Sequence, residues 1–239
     1  MTAPRAEVVE LAALHLDCPD PSGSLVRACR VALTLDCSVG LTLAVDAALA
    51  QRVSLAADGP LAARGEALQI NLGEGPCVEA LHRVEPVLVT DLDDAAMTNG
   101  WPVYAKEARA HGIRAAFAFP VAGPRHDIPQ PGLVLSLYRD QPGPLPDQDL
   151  DTTRTHAKAA ELLFLSVPAP AQDDAADAWL LPTDAVVHQA TGMLSQRHNL
   201  TPSQALALLR AHAHTHNSDL SDLAHAVVHN GLHLPEPPP

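Results

Sequence analysis

The sequence predicts an α+β protein in two parts: a domain with an antiparallel sheet flanked by helices, then an all-α module of three helices. Three observations support this. Short apolar runs bounded by turn residues recur between residues 39 and 138, which is typical of strands. The proline- and aspartate-rich stretch SVPAPAQDDAAD has the composition of a linker. After it, residues 219–234 repeat apolar side chains at helical spacing.

The elements of the first part follow from local patterns. Helices are predicted over residues 5–16 and from Ser24 to about Leu35, separated by the break Cys18-Pro19-Asp20-Pro21. The predicted strands are Val39–Val45, Arg52–Ala57, Leu68–Leu72, Val87–Thr90, Ala115–Pro120 and Leu133–Tyr138. Further helices are expected at Pro76–His82, Pro102–His111 and Leu150–Leu165. We therefore assign residues 1–21 to an N-terminal extension and 22–166 to one domain.

The second part carries clear helix signals. Its first helix is expected in DAVVHQATGMLSQR. Thr201-Pro202-Ser203-Gln204 then marks a helix start, since threonine caps, proline suits the first helical position and glutamine reaches back to the cap. Gly231 is placed to end the last helix. We assign residues 167–180 to the linker and 181–234 to the helical module. The apolar stripe of the last helix is Leu220, Leu223, Ala224, Val227 and Val228.

The charge of the chain argues against strong nonspecific binding to nucleic acid. The formal net charge is −13. Residues 1–166 hold 21 acidic and 13 basic side chains, and residues 167–239 hold 7 acidic and 2 basic side chains. An acidic chain repels phosphate backbones at long range, which weakens nonspecific association.

Other sequence features exclude several classes. The sequence has no apolar run long enough for a transmembrane helix and no signal-peptide pattern. Its four cysteines show no CxxC spacing. We therefore expect a cytoplasmic protein with reduced thiols. There is no P-loop, GxSxG, HExxH or dinucleotide fingerprint, so we expect no enzyme activity, and no cofactor is identified.

The helical module resembles an ANTAR domain. The resemblance covers roughly residues 182–230, in the segments HQATGML, SQALALLRAHAHTHN and LSDLAHAVV. It implies binding to paired hairpin loops in nascent RNA, prevention of transcription termination, and a homodimer. It rests on Ala190, Gly192, Ala205, Leu209, Arg210, Ala213, Asn217, Leu220, Leu223 and Ala224.

The first domain resembles a GAF domain over about residues 22–166. The segments that carry the resemblance are LQINLGEGPCVEALHRVEPVLVTDL, WPVYAKEARAHGIRAAFAFPV and GLVLSLYRDQPGPLPDQDL. The resemblance implies a sensory domain, in some relatives with a small-molecule ligand, but it names no ligand or signal here. Together the two resemblances imply a cytoplasmic regulator of transcription antitermination.

Candidate RNA-binding residues lie on two faces of the helical module. Thr191, Ser195 and His198 share a face of the first helix, and Ser203, Ala207, Arg210 and His214 share one of the second. Alternatively, these faces are only solvated and Gly192 eases helix packing. The candidates are Gln189, Thr191, Gly192, Arg197, Ser203, Arg210 and His214.

A rival interpretation keeps the ANTAR fold but not the RNA. ANTAR domains commonly carry lysine between the positions of Ala190 and Gly192, and this chain has Thr191. Residues 179–234 contain Arg197 and Arg210 as fixed positive charges, against three acidic residues and eight histidines. Unperturbed histidines are mostly neutral at cytoplasmic pH. The alternative is therefore a protein-interaction regulator or scaffold with a degenerate ANTAR module.

Two further side-chain groups have a chemical and a structural interpretation. Cys77 lies at the start of a predicted helix, where the helix dipole lowers the pKa of a thiol, and this favours a role as a redox or ligand sensor. Alternatively, Cys77 is a small residue of the core. His212 and His216 lie one turn apart and can chelate a metal, whereas surface polarity is the simpler explanation. We predict no metal site.

Overall fold

The computed structural model of the protein describes residues 5–44, 52–121, 132–166, 182–216 and 218–235. The chain divides into two compact units, the first formed by residues 1–70 and 74–168 and the second by the remainder. The predicted linker 167–180 lies outside the described residues. Within those residues, no helix is both long and apolar enough to cross a membrane.

The first unit is built on a five-stranded antiparallel sheet, as predicted. Its strand order is β2-β1-β5-β4-β3, and every neighbouring pair is antiparallel. A bulge between Leu41 and Thr42 interrupts the pairing of β1 with β2. The strands are β1 Ser38–Ala44, β2 Arg52–Asp58, β3 Val87–Val89, β4 Ala115–Pro120 and β5 Gly132–Arg139.

All five helices predicted for the first unit are present, and two more lie among its described residues. Asp20 caps α2, because its carboxylate accepts a hydrogen bond from the Gly23 N–H at 2.9 Å, so this helix begins three residues earlier than expected. The helices are α1 Arg5–Leu16, α2 Pro21–Ala32, α3 Ala62–Leu72, α4 Pro76–Arg83, α5 Ala95–Thr98, α6 Pro102–Ala110 and α7 Asp147–Ser166.

The two faces of the sheet differ in chemistry because side chains alternate along each strand. One face carries Val39, Leu41 and Leu43 of β1, in register with Leu133, Leu135 and Leu137 of β5. α2 packs against β1 and β2, α7 packs against β4 and β5, and α1 packs on α7. The other face carries polar or small residues at the alternate positions, Gly40, Thr42, Ser136 and Tyr138.

One predicted strand is wrong. Leu68–Leu72 forms the end of α3 rather than a strand. Ala62, Gly65, Glu66 and Gln69 are buried at helical spacing, so the helix packs through a face that includes two polar residues. Leu68–Leu72 alternates apolar and polar residues, which is the pattern of a half-buried strand, but here tertiary packing decided. The four-residue helix α5 was not predicted.

The second unit contains three helices, α8 Pro182–His198, α9 Pro202–Thr215 and α10 Leu220–His229, as predicted. The capping box at Thr201 is present: the Thr201 hydroxyl accepts from the Gln204 N–H, and the Gln204 side chain accepts from the Thr201 N–H at 2.9 Å. α10 ends before Gly231, which has a φ of +66°. The shared core is Val186, Ala190, Leu194, Ala205, Leu209, Ala213, Leu220, Leu223, Ala224, Val227 and Leu234.

Candidate RNA-binding surface and sensor core

The exposed surfaces of α8 and α9 hold most of the candidate RNA-binding residues. Gln189, Gly192 and Arg197 are exposed on α8, and His214 is exposed on α9. A Cβ at Gly192 would meet no atom within 4 Å, so packing does not require glycine there.

Arg210 and Ser203 do not belong to this exposed set. Arg210 is half-buried on α9, and its Nε atom is fully covered, so its side chain is partly held by the module itself. The side chain of Ser203 lies outside what the structure describes.

Thr191 does not lie on the exposed surface, contrary to our expectation. Its side chain is 7% exposed, and its hydroxyl donates to the Val187 carbonyl at 2.7 Å. The expected partner Ser195 also turns inward, since its hydroxyl donates to the Leu200 carbonyl at 2.6 Å. Asn199, with a φ of +52°, ends α8 and folds the following turn back onto it. Thr191 is therefore buried in the module, whereas Ser195 and His198 are half-buried.

A buried polar cluster occupies the core of the first unit, on the polar face of the sheet. We call Thr42, Glu66, Gln69, Cys77 and Tyr138 the Glu66 cluster. Glu66 is 1% exposed, accepts from the Tyr138 hydroxyl at 2.6 Å and accepts from the Thr42 hydroxyl. The Gln69 Nε2 donates to the Tyr138 oxygen at 2.7 Å, so the Tyr138 proton points at Glu66. The cluster was missed from sequence because no helix was predicted at Glu66, and a glutamate is rarely buried in a protein core.

Two glycines allow this close packing. A Cβ at Gly40 would stand 2.5 Å from a Glu66 carboxylate oxygen, and a Cβ at Gly65 would collide with the Tyr138 ring. Both positions therefore exclude any larger residue without displacement of the cluster. The Glu66 side chain consequently lies directly against the Gly40 backbone of β1, and the Tyr138 ring of β5 lies against the Gly65 backbone of α3.

Burial sets the electrostatics of the Glu66 cluster. Desolvation raises the pKa of Glu66 to about 7, although the hydrogen bond from Tyr138 opposes the rise. Burial, reinforced by the Glu66 charge, also raises the pKa of Tyr138. The hydroxyl of Tyr104 is buried as well and has no hydrogen-bond partner among the described residues. A carboxyl that titrates near neutral pH is thus enclosed in this domain.

Cys77 is not the activated thiol that its place in the sequence indicated. Its side chain is 1% exposed, and burial, with the nearby Glu66 charge, raises the pKa of the thiol. The backbone N–H of Cys77 donates to the Gln69 Oε1 at 2.6 Å, which satisfies part of the helix terminus. Desolvation outweighs the helix dipole here, so the thiol is neutral and inaccessible. The other described cysteines are free, and burial also raises the pKa of Cys29 and Cys37.

Comparison with known families agrees with both domains. A GAF domain model matches residues 20–163. The chain belongs to the GAF domain family. An ANTAR domain model matches residues 181–228, so the GAF domain is followed by an ANTAR domain. No curated protein matches the chain.

Solved structures that are similar to the chain share little sequence identity with it. A GAF domain from a phosphoenolpyruvate-protein phosphotransferase of Coxiella burnetii shares 16% identity, with a TM-score of 0.46 over 66% of this chain and 92% of that one. A free methionine-R-sulfoxide reductase from Neisseria meningitidis shares 16%, with a TM-score of 0.43 over 68% and 91%. Escherichia coli SdiA shares 11%, with a TM-score of 0.45 over 92% and 96%.

Proposed function

We propose that this protein is a cytoplasmic regulator in which the GAF domain senses a signal and the ANTAR domain binds paired RNA hairpin loops to control transcription antitermination. The observation that carries the proposal is the ANTAR match over residues 181–228, which covers all of α8 and α9 and nearly all of α10. The exposed residues Gln189, Gly192, Arg197 and His214, with half-buried Arg210, form the proposed RNA-binding surface. Ser203 stays a candidate on sequence alone.

Few positive charges support this surface, and that limits the expected affinity. Arg197 and Arg210 are the fixed positive charges of the ANTAR domain. Because each neutralised phosphate releases counterions, RNA binding through two arginines should be weak and should decrease only moderately with salt. The same scarcity of charge favours a second candidate function, docking of the ANTAR domain on a protein partner without RNA.

An electrophoretic mobility shift with a paired-hairpin RNA, at two salt concentrations, separates the two functions. We expect a shift with the full-length protein that Arg197→Ala weakens, because its exposed guanidinium can reach phosphate. Arg27→Ala is the matched control, since Arg27 is an exposed arginine on α2 of the GAF domain. Equal weakening by both variants, or no shift with any hairpin at low salt, would favour the protein-docking function.

We also propose a homodimer formed through the GAF domain. α1 leaves an apolar stripe in solvent opposite the face that packs on α7: Val9 is 50% exposed, and Leu16 and Ala13 lie on the same side. Leu14 is 74% exposed beside it. Exposed leucine and valine on one surface support an interface between copies. Sedimentation of the wild type should show a dimer that Val9→Glu dissociates; a single 25.2 kDa species for the wild type at micromolar concentration would contradict it.

The Glu66 cluster is the part of the GAF domain that we propose responds to the signal. Desolvated ionisable groups concentrate at functional sites, because burying them unpaired costs stability. Cys77 belongs to this cluster as a neutral buried thiol, so a ligand-linked role suits it better than direct oxidation.

A further inference from the structure

Two histidines on α9 lie against each other on the surface of the ANTAR domain. The ring centroids of His212 and His216 are 3.9 Å apart, and the ring planes differ by 21°. The two residues are one helical turn apart, so both side chains project from the same face. His216 is exposed and His212 is half-buried. We call them the His212–His216 pair.

A hydrogen bond leaves one ring nitrogen of His216 ready to bind a metal. The Nδ1 of His216 lies 2.9 Å from the His212 carbonyl oxygen. A carbonyl only accepts, so Nδ1 carries the proton and Nε2 keeps a lone pair. Metal-binding histidines typically donate their second nitrogen to a backbone carbonyl in this way, which holds the ring in place.

We propose that the His212–His216 pair binds one divalent transition-metal ion, of the zinc, nickel or copper type, through the Nε2 atoms of both rings. Metal–nitrogen bonds of about 2.0–2.1 Å require the two Nε2 lone pairs to converge on one point. The rings are stacked, with centroids 3.9 Å apart and planes 21° apart, so they must tilt out of this stack when they bind the ion. Imidazole suits these ions, whereas magnesium and calcium prefer oxygen ligands.

The site is open, with water completing the coordination. Among the described residues, no three histidine, cysteine or acidic side chains come together to hold a metal. The pair His225–His229 on α10 has the same sequence spacing, but its ring centroids are 5.2 Å apart with planes tilted by 33°. Equal spacing along the sequence thus gives different ring geometry on the two helices. We choose the His212–His216 pair because the hydrogen bond of His216 Nδ1 leaves its Nε2 available to the ion.

Titration calorimetry of the metal-free, full-length protein with NiCl2 and with ZnCl2 tests this site. We compare the wild type with His212→Gln and His216→Gln, and we use His214→Gln as the matched control because His214 is an exposed histidine of the same helix. Loss of one imidazole removes the chelate effect, so binding should weaken at least about tenfold in His212→Gln and His216→Gln. His214→Gln should bind as the wild type does, and MgCl2 should not bind at the pair.

Thermal unfolding is a second measurement, and it distinguishes loss of the metal site from damage to the fold. Nickel should raise the thermal unfolding midpoint in the wild type and in His214→Gln, because the ion binds only the folded helix, and it should do so less in the other two variants. Wild-type affinity in both His212→Gln and His216→Gln would overturn the proposal, as would weakening by His214→Gln to the same extent.

The same titration with hairpin RNA present links this site to the proposed function. A bound ion adds two positive charges to a domain whose fixed positive charges are Arg197 and Arg210, so RNA affinity should rise with nickel in the wild type more than in His216→Gln. This link rests on the proposed function. The titration without RNA tests the site whatever the RNA result is.

Discussion

Replacing Glu66 by glutamine should remove a pH-dependent loss of stability in the GAF domain. Desolvation is the largest cause of the pKa shift of Glu66, and it raises the pKa from 4.5 to about 7. Glutamine has the same shape and imitates the protonated acid. Its Oε1 can still accept from Tyr138, and its Nε2 can donate to the Thr42 hydroxyl in place of the carboxyl proton.

The sign and size of the effect follow from linkage. Between pH 4.5 and about 7, the folded protein keeps the Glu66 proton while the unfolded chain releases it. The stability from this proton is fully present below pH 4.5 and is lost as pH rises towards about 7. At about 1.4 kcal/mol per pKa unit, the loss amounts to about 3 kcal/mol at most. As pH rises from acidic to mildly alkaline, the stability of Glu66→Gln relative to the wild type should therefore increase by up to this amount.

Urea unfolding followed by tryptophan fluorescence measures this gain. The chain has two tryptophans, and a Trp179→Phe background leaves the buried Trp101 as the reporter of the GAF domain. Glu10→Gln, at an exposed position of α1, is the control for removal of one negative charge, and it should leave the pH profile unchanged. A constant stability difference between Glu66→Gln and the wild type across the pH range would refute the reasoning.

Three further outcomes are expected. Asp149→Ala should destabilise the GAF domain by about 2–4 kcal/mol in urea unfolding. The fully buried carboxylate accepts hydrogen bonds from the Thr34 N–H and hydroxyl at 2.8 Å each, and both donors would lose their partner. A change in stability within error would mean that water replaces the carboxylate. Thr201→Ala should cost about 1 kcal/mol in the thermal unfolding of the ANTAR domain, and Thr201→Ser should largely retain it. Arg197→Ala should lower the slope of log affinity for hairpin RNA against log salt by about 1, and an unchanged slope with Arg27→Ala would show that the effect is local.

Much of the fold could be predicted because it depends on short-range rules. The strands Ala115–Pro120 and β5 are apolar runs between turn residues, and they form as expected. The capping box at Thr201 depends on four consecutive residues and needs no tertiary partner. The helical spacing from Leu220 to Val228 likewise fixes which side of α10 is buried. Resemblance to known families then supplied the arrangement of these elements.

The candidate sites were less predictable because they depend on what lies opposite each residue. Thr191 was placed on the RNA-facing surface from helical spacing alone, but the packing of the module buries it, and its hydroxyl donates to the Val187 carbonyl. Cys77 was expected to be activated by the helix terminus, yet its burial decides the pKa. Both errors have one cause: spacing gives the relative direction of side chains, whereas packing decides which direction meets solvent.

The sequence by itself determined the two-part α+β architecture, the helix caps and the acidic charge of the chain, because these follow from neighbouring residues and composition. Only the tertiary structure decided that Leu68–Leu72 continues α3, since the helix is held there by burial of Glu66 and Gln69 against the sheet. It also decided that Glu66 meets Tyr138, 72 positions away in the chain. Desolvation and hydrogen bonding act between groups that are close in space, and a pKa therefore belongs to the folded environment rather than to the residue.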